Sequence, residues 1–380
     1  MSRLRALHDA GVSIWLDTLS RDLLESGDFA RLVRDQQVTG ATSNPTIFAK
    51  AISGSDLYDD QLRGAVASGI RDPRELFFEL ALEDVRRAAD LLRPAYEESE
   101  GRDGFVSFEC TPDLADDSDA TIEQALDLWG RLGLPNAMIK VPATEAGLSA
   151  IEELTARGVN VNVTLLFSVA RYEQVIDAYI RGLERRHAAG EPLDTIASVA
   201  SFFVSRVDAK ADPLLPAGSD LRGRVAIANA RLAYARYLDR FSHDPCLADE
   251  RWRDLRAAGA RPQRPLWAST GTKDPAYSDV HYVEGLVTPG AVNTMPEATL
   301  RAFADHGKLE QVLPVAGSGN RILRRAEQAG VDLDAITGEL EREGVAAFCD
   351  SYRQLLDCIR AKLGPELDTR VGAGRPANRY

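Results

Sequence analysis

Eight short apolar runs punctuate the chain: SIWLDT (13–18), VTGATSNP (38–45), VSFEC (106–110), NAMIKVP (136–142), VNVTLLF (161–167), IASVASFFVS (196–205), PLWAST (265–270) and YVEGLVTP (282–289). Each has strand length and is rich in Val, Ile, Phe or Thr. Amphipathic stretches separate most of them. SDATIEQALDLWGRLG opens on a Ser or Asp cap and places Ile122, Ala125, Leu126, Leu128 and Trp129 at helical spacing. ATEAGLSAIEELTARG begins just after Pro142 and stops at Gly158, and a further helix begins at Ser168. Eight buried strands alternating with helices predict an α/β protein of the (β/α)8 TIM-barrel type. A doubly wound open sheet is the runner-up, weakened because no GxGxxG follows the first strand.

Two insertions interrupt the alternation, near residues 50–100 and 210–263, and both read as helical. The segment after residue 295 reads as helix to about residue 363. The expectation is one barrel domain over 1–363 with extra helices, then a Gly/Pro-rich, flexible tail over 364–380. A net charge of -13 argues against a nucleic-acid partner, which wants a basic face. The four cysteines, Cys110, Cys246, Cys349 and Cys358, show no metal-ligand spacing and read as reduced thiols. No stretch is apolar for long enough to span a bilayer, and the amino-terminal residues lack the core of a signal peptide. These features predict a cytoplasmic protein with no membrane partner, either a monomer or a homodimer.

Lys140 stands out. It interrupts a run, NAMIKVPAT, whose neighbours suit a strand buried on both faces. The chain has six lysines among its 45 basic residues, so a merely structural cation would more naturally be arginine. Lysine offers what arginine does not, an amine that can lose its proton and attack a carbonyl.

In a barrel of this kind, reactive groups gather at the carboxyl ends of the strands. Strand one ends in Asp17, strand two in Thr42, Ser43 and Asn44, and strand three in Glu109. Strand four carries Lys140, strand five Asn162 and Thr164, and strand six Ser201, Ser205 and Arg206. Strand seven ends in Ser269 and Thr270 with Lys273 just beyond, and strand eight is expected to end in Thr288. The five histidines lie outside these ends, so no carboxylate–histidine cluster suggests a metal, and no cofactor is expected. One lysine with two carboxylates suits metal-free Schiff-base chemistry. Each residue also has a duller reading. Asp17 could cap the helix that follows it, Thr42–Asn44 could form a capping turn, and Arg206 could pair with Asp208. The functional reading rests on all of them falling at strand ends together.

TSNPTIF (42–48), IKVPATEAG (139–147) and VNVTLLFS (161–168) resemble the signature stretches of the transaldolase family, and WLDTLSR and SVASFFVSRVD (198–208) agree in order and spacing. The resemblance covers roughly residues 10 to 360 and is nearest the longer bacterial branch. It implies the same barrel and a pentose phosphate pathway reaction. A dihydroxyacetone unit would pass from sedoheptulose 7-phosphate to glyceraldehyde 3-phosphate, giving erythrose 4-phosphate and fructose 6-phosphate. It implies Lys140 as the Schiff-base lysine, Asp17 as the acid/base for C–C cleavage, and Glu109 with Thr164 as holders of a catalytic water. Asn44 and Asn162 would bind substrate hydroxyls, with Thr42 and Ser201 nearby. Phe203 would line the site, and Arg206 would bind phosphate. One departure follows strand seven: Ser269 matches, but Gly271 stands where the family often has a phosphate-binding arginine. Lys273 is the expected replacement. The rival readings are a fructose 6-phosphate aldolase that releases free dihydroxyacetone and a non-catalytic phosphosugar-binding barrel. Glu109 and Phe203, where such aldolases tend to carry Gln and Tyr, favour transfer.

Overall fold

The computed structural model describes residues 2–242, 244, 249–309 and 316–364, apart from the side chains of 316–318. Cys246 and the tail from residue 365 lie outside the described residues. Eight strands close into a barrel in sequence order: β1 (Ser13–Leu16), β2 (Val38–Thr42), β3 (Phe105–Glu109), β4 (Ala137–Pro142), β5 (Val161–Leu166), β6 (Ser198–Phe203), β7 (Arg264–Ala268) and β8 (Val292–Met295). Every neighbouring pair is parallel, and β1 closes the ring on β8. Every residue of β3, β4, β5 and β6 is buried, as expected for strands walled by a filled interior on one face and helices on the other.

Local chemistry sets the starts and stops. Helix Ser118–Leu132 is capped by Asp117, whose carboxylate accepts from Ala120 N, and it ends at Gly133, with φ 62°. Helix Glu145–Ala156 is capped by Thr144, which accepts from Gly147 N. Gly147 has a second reason to be glycine, because a Cβ there would stand 2.0 Å from the Pro142 carbonyl oxygen. This helix therefore turns back tightly over the end of the strand that carries Lys140.

The region read as strand eight, 282–289, folds differently. His281–Gly285 is a short helix, and the strand is Val292–Met295. Tyr282, Val283, Leu286 and Val287 look like a strand run, yet their one-four-five spacing also makes a helical face. The true strand, VNTM, hides its period behind two polar residues, Asn293 and Thr294, both buried. Thr288 consequently ends no strand. Its hydroxyl accepts from Trp267 Nε1 at 2.8 Å, behind the barrel wall.

Residues 45–98 form the helices Pro45–Ser53, Asp59–Ala67 and Pro73–Glu98. A buried ion pair joins them to the segment after β1. Arg21 Nε donates to Asp84 Oδ1 at 2.8 Å, and the Tyr58 hydroxyl donates to Asp84 Oδ2 at 2.9 Å. The last long helix, Leu333–Leu363, lies across the barrel mouth. Gly344 lets it settle on Leu165 at the end of β5, since a Cβ there would come within 2.9 Å of the Leu165 side chain. Leu165 is itself left-handed, with φ 56°. Thr46 Oγ1 donates to Ser351 Oγ at 2.7 Å, and Lys210 reaches Glu343 at 2.8 Å and Glu339 at 3.0 Å, holding the same helix at other points.

Candidate active site

Strand register brings the chemistry together. Glu109 of β3 lies level with Lys140 of β4, and Lys140 lies level with Asn162 of β5. Lys140 is 4% exposed and Glu109 is 7% exposed. The Lys140 ammonium donates to the Ser43 carbonyl oxygen at 3.3 Å and stands 3.5 Å from Glu109 Oε2. That is a long pair for a buried site, and it leaves the amine loosely held. Burial pushes the Glu109 carboxyl up to about 7, against the pull of the Lys140 ammonium, and the nearby Asp17 charge adds to the rise. Glu109 therefore titrates in the range where a group can both give and take a proton.

Asp17 sits just past β1 and is not the helix cap; Ser20 is, accepting from Leu23 N at 3.2 Å. The Asp17 carboxylate accepts from Thr42 Oγ1 at 2.8 Å. Thr42 spends its one proton there, so the Thr294 hydroxyl at 2.9 Å is the donor in the next link. Burial raises the Asp17 carboxyl above its ordinary range, opposed first by Lys140 and then by Thr42, Arg206 and Lys273.

Asp17, Thr42, Asn44, Lys140, Ser201, Phe203, Arg206, Ser269 and Lys273 line one cavity of about 150 Å³ at the strand ends. Asn44 also serves as a cap, its Oδ1 accepting from Ile47 N at 3.0 Å, which leaves its amide NH2 for other partners. Arg206 does not use Asp208, which accepts from Ala226 N and the Tyr282 hydroxyl. Its guanidinium stands 5.1 Å over the Phe203 ring instead. Lys273 is exposed at the rim, and partial loss of water and then the Arg206 charge lower its pKa. Ser269 is left-handed at φ 55°, and its hydroxyl meets Ser205 Oγ at 3.0 Å.

Three expected site residues stand behind the cavity wall. Asn162 is held on both sides, its amide donating to Ser107 Oγ at 2.9 Å and its oxygen accepting from Ser201 Oγ at 2.7 Å. It does not line the cavity itself, and Ser201, which donates to it, does. Thr164 is buried with no partner for its hydroxyl, an unmet polar group on the strand next to Lys140. Glu109 borders a separate void of about 10 Å³ with Phe108 and Tyr352 among its walls, close to the smallest space that holds a water. Next to it, burial raises the Cys110 thiol, so little reactive thiolate forms there.

Thr294 and Phe348 also line the cavity and were not foreseen. Thr294 was hidden because its strand was placed too early in the chain. Phe348 comes from the long carboxyl-terminal helix, and no motif marks it in the sequence. Among the described residues, no group of three His, Cys, Asp or Glu side chains could hold a metal ion, and no helix is long and apolar enough to cross a membrane.

A buried amine beside one carboxylate and across a cavity from another, at the carboxyl-end mouth of a (β/α)8 barrel, defines the class: a Schiff-base lysine enzyme. The chain belongs to the transaldolase/fructose-6-phosphate aldolase family, whose sequence profile matches residues 14–359. It is 52% identical over 367 residues to a transaldolase of Saccharopolyspora erythraea, covering 95% of this chain and 98% of that one. It is 49% identical to a transaldolase of Parafrankia sp. and 48% identical to one of Thermobifida fusca, each covering 95% of this chain and 98% of the other.

Proposed function

We infer that this chain is a transaldolase moving a dihydroxyacetone unit between phosphorylated sugars, from sedoheptulose 7-phosphate to glyceraldehyde 3-phosphate. The observation that carries the reading is Lys140, buried between Glu109 and the Asp17 side of the cavity. Lys140 attacks the substrate ketone and becomes an iminium, which draws electrons from the adjacent C–C bond. Asp17 takes the proton from the substrate hydroxyl as that bond breaks and an aldehyde leaves; its raised carboxyl makes it a competent base that can return the proton to the next acceptor. Glu109 passes protons through a water shared with Thr164 while the carbinolamine forms and collapses, a role supported by its value near 7 and by the unmet Thr164 hydroxyl. Asn44, Thr42 and Ser201 bind the hydroxyls of the three-carbon unit, with Asn162 holding Ser201 in place, and Phe203 forms an apolar wall. Arg206, Ser269 and Lys273 take the phosphate at the opposite end of the cavity.

The test is reductive trapping. The protein is mixed with fructose 6-phosphate, reduced with borohydride, and mapped by peptide mass. A dihydroxyacetone- or hexose-derived adduct on Lys140 is the expected result. Folded protein with no adduct at Lys140 would overturn the reading.

A further inference from the structure

Transfer requires that the three-carbon unit stay on the lysine after the first aldehyde has left. Between the two half-reactions it is an enamine. Its loss needs two things: a proton added to carbon, then water added to the resulting iminium carbon. The C–N bond then breaks, the nitrogen keeps the electron pair, and the oxygen of water becomes the ketone oxygen of free dihydroxyacetone. Water is the only co-reactant, so the wall around the Lys140 nitrogen decides how often this leak occurs.

We propose that Phe348 is a specificity-determining residue, whose ring shields the Lys140 nitrogen from water and so favours transfer over release. This rests on the transaldolase reading above. The ring centroid stands 6.0 Å from Lys140 Nζ, and Phe348 shares the cavity with Asp17, Arg206 and Lys273. The hydrogen-bond partners of the nitrogen are the Ser43 carbonyl and Glu109, and the Phe348 ring is an apolar neighbour beside them. A cavity of about 150 Å³ has space for about five waters at their liquid volume. The site is therefore not dry by size alone, and an apolar face that offers water no hydrogen bond is needed where the iminium forms.

The helix that carries Phe348 is built to stay over the mouth. Gly344, four residues earlier, admits the close approach to left-handed Leu165, and Leu165 follows Thr164 directly. Ser351 is tied to Thr46, two residues past the Asn44 cap. Tyr352, one turn on, packs edge-on against Phe77 at 6.1 Å. Phe348 itself is 5% exposed. These contacts hold the ring from both sides along the helix, so its position does not depend on a substrate to close it.

The experiment measures a ratio. Fructose 6-phosphate and erythrose 4-phosphate are supplied together, and free dihydroxyacetone is quantified against sedoheptulose 7-phosphate for wild type, Phe348→Ala and Phe348→Leu. A ratio is independent of how much of each preparation is active, so partial unfolding or inactivation alone does not move it. Phe348→Ala is expected to raise release over transfer at least about tenfold, and Phe348→Leu, with a smaller apolar wall, about threefold, or about 1.4 and 0.6 kcal/mol of differential barrier. A wild-type ratio in folded Phe348→Ala would overturn the proposal. If the alanine variant does not fold, a wild-type ratio in Phe348→Leu overturns it. Wild type that makes no sedoheptulose 7-phosphate and traps no adduct at Lys140 would instead remove the transaldolase reading.

Discussion

Replacing Lys273 with Met should weaken binding of phosphorylated substrates and leave the bond-breaking step nearly intact. The magnitude follows from position. A charge-assisted hydrogen bond to phosphate contributes about 1.5–3 kcal/mol where both partners are shielded from water. Lys273 is exposed at the rim, so solvent screening reduces this to about 1–2 kcal/mol, or roughly 5–30-fold. The phosphate is bound in ground state and transition state alike, so the loss belongs in KM. A small effect on kcat is expected too, because Lys273 is the weakest of the charges that pull the Asp17 carboxyl down. The assay compares glyceraldehyde 3-phosphate with unphosphorylated glyceraldehyde as acceptor. The variant should lose the full factor with the first and almost none with the second. Equal losses with both acceptors would refute the phosphate role, since a general disturbance of the rim does not discriminate between them. The lowered pKa adds a pH signature. Lys273 gives up its charge earlier than an ordinary lysine as pH rises, so phosphate affinity should decline at alkaline pH in wild type and be flatter in Lys273→Met.

Glu109, with its carboxyl near 7, should give kcat/KM an acid limb. Glu109 takes up a proton as pH falls through that value and ceases to act as a base, so activity should drop tenfold per pH unit below about 7. Glu109→Gln should abolish this limb along with most turnover; a limb that persists in the variant, followed between about pH 5 and 9, would assign it elsewhere. Asp84→Ala should destabilise the fold by about 3–5 kcal/mol in urea unfolding, because it strands the Arg21 guanidinium, 5% exposed, with the Leu80 carbonyl as its one remaining hydrogen-bond partner among the described residues. The paired replacement of Arg21 and Asp84 by Leu should recover much of that loss, and a double variant no better than Asp84→Ala would argue against charge burial as the cause.

The barrel was legible because its strands are buried on both faces, so seven of them stand out as short apolar runs. The eighth was displaced for a physical reason. A four-residue strand with Asn293 and Thr294 pointing at polar partners has no hydrophobic signal left to read. Site residues on strand ends were readable from their local runs, since the fold alone gathers them. Phe348 was not, because its role comes from where a 31-residue helix lands, and that landing is set by Gly344, Ser351 and Tyr352 rather than by any local pattern. Asn162 shows the converse limit. Its place on the strand is readable, but its hydrogen bonds to Ser107 and Ser201 depend on side chains from two other strands.

The cavity is polarised along its length, and this answers why a lysine stands in the middle of an apolar strand. At one end Lys140 is almost wholly buried, with Glu109 behind it and the Phe348 ring centroid 6.0 Å from the amine. At the other, Arg206 is half-buried and Lys273 meets solvent. On the proposed reading a phosphosugar enters with its phosphate toward Arg206 and Lys273 and its ketone toward the amine, since the reverse orientation would carry the dianion away from both of those cations. On that reading orientation is set by charges that never touch the reacting carbons. A second arginine at the rim, in place of Gly271, would add affinity through a bidentate contact, whereas Lys273 supplies a single flexible charge. With Lys273 as the proposed phosphate contact, Gly271→Arg should therefore lower KM for phosphorylated donor and acceptor alike, and an unchanged KM would count against a phosphate site at this rim.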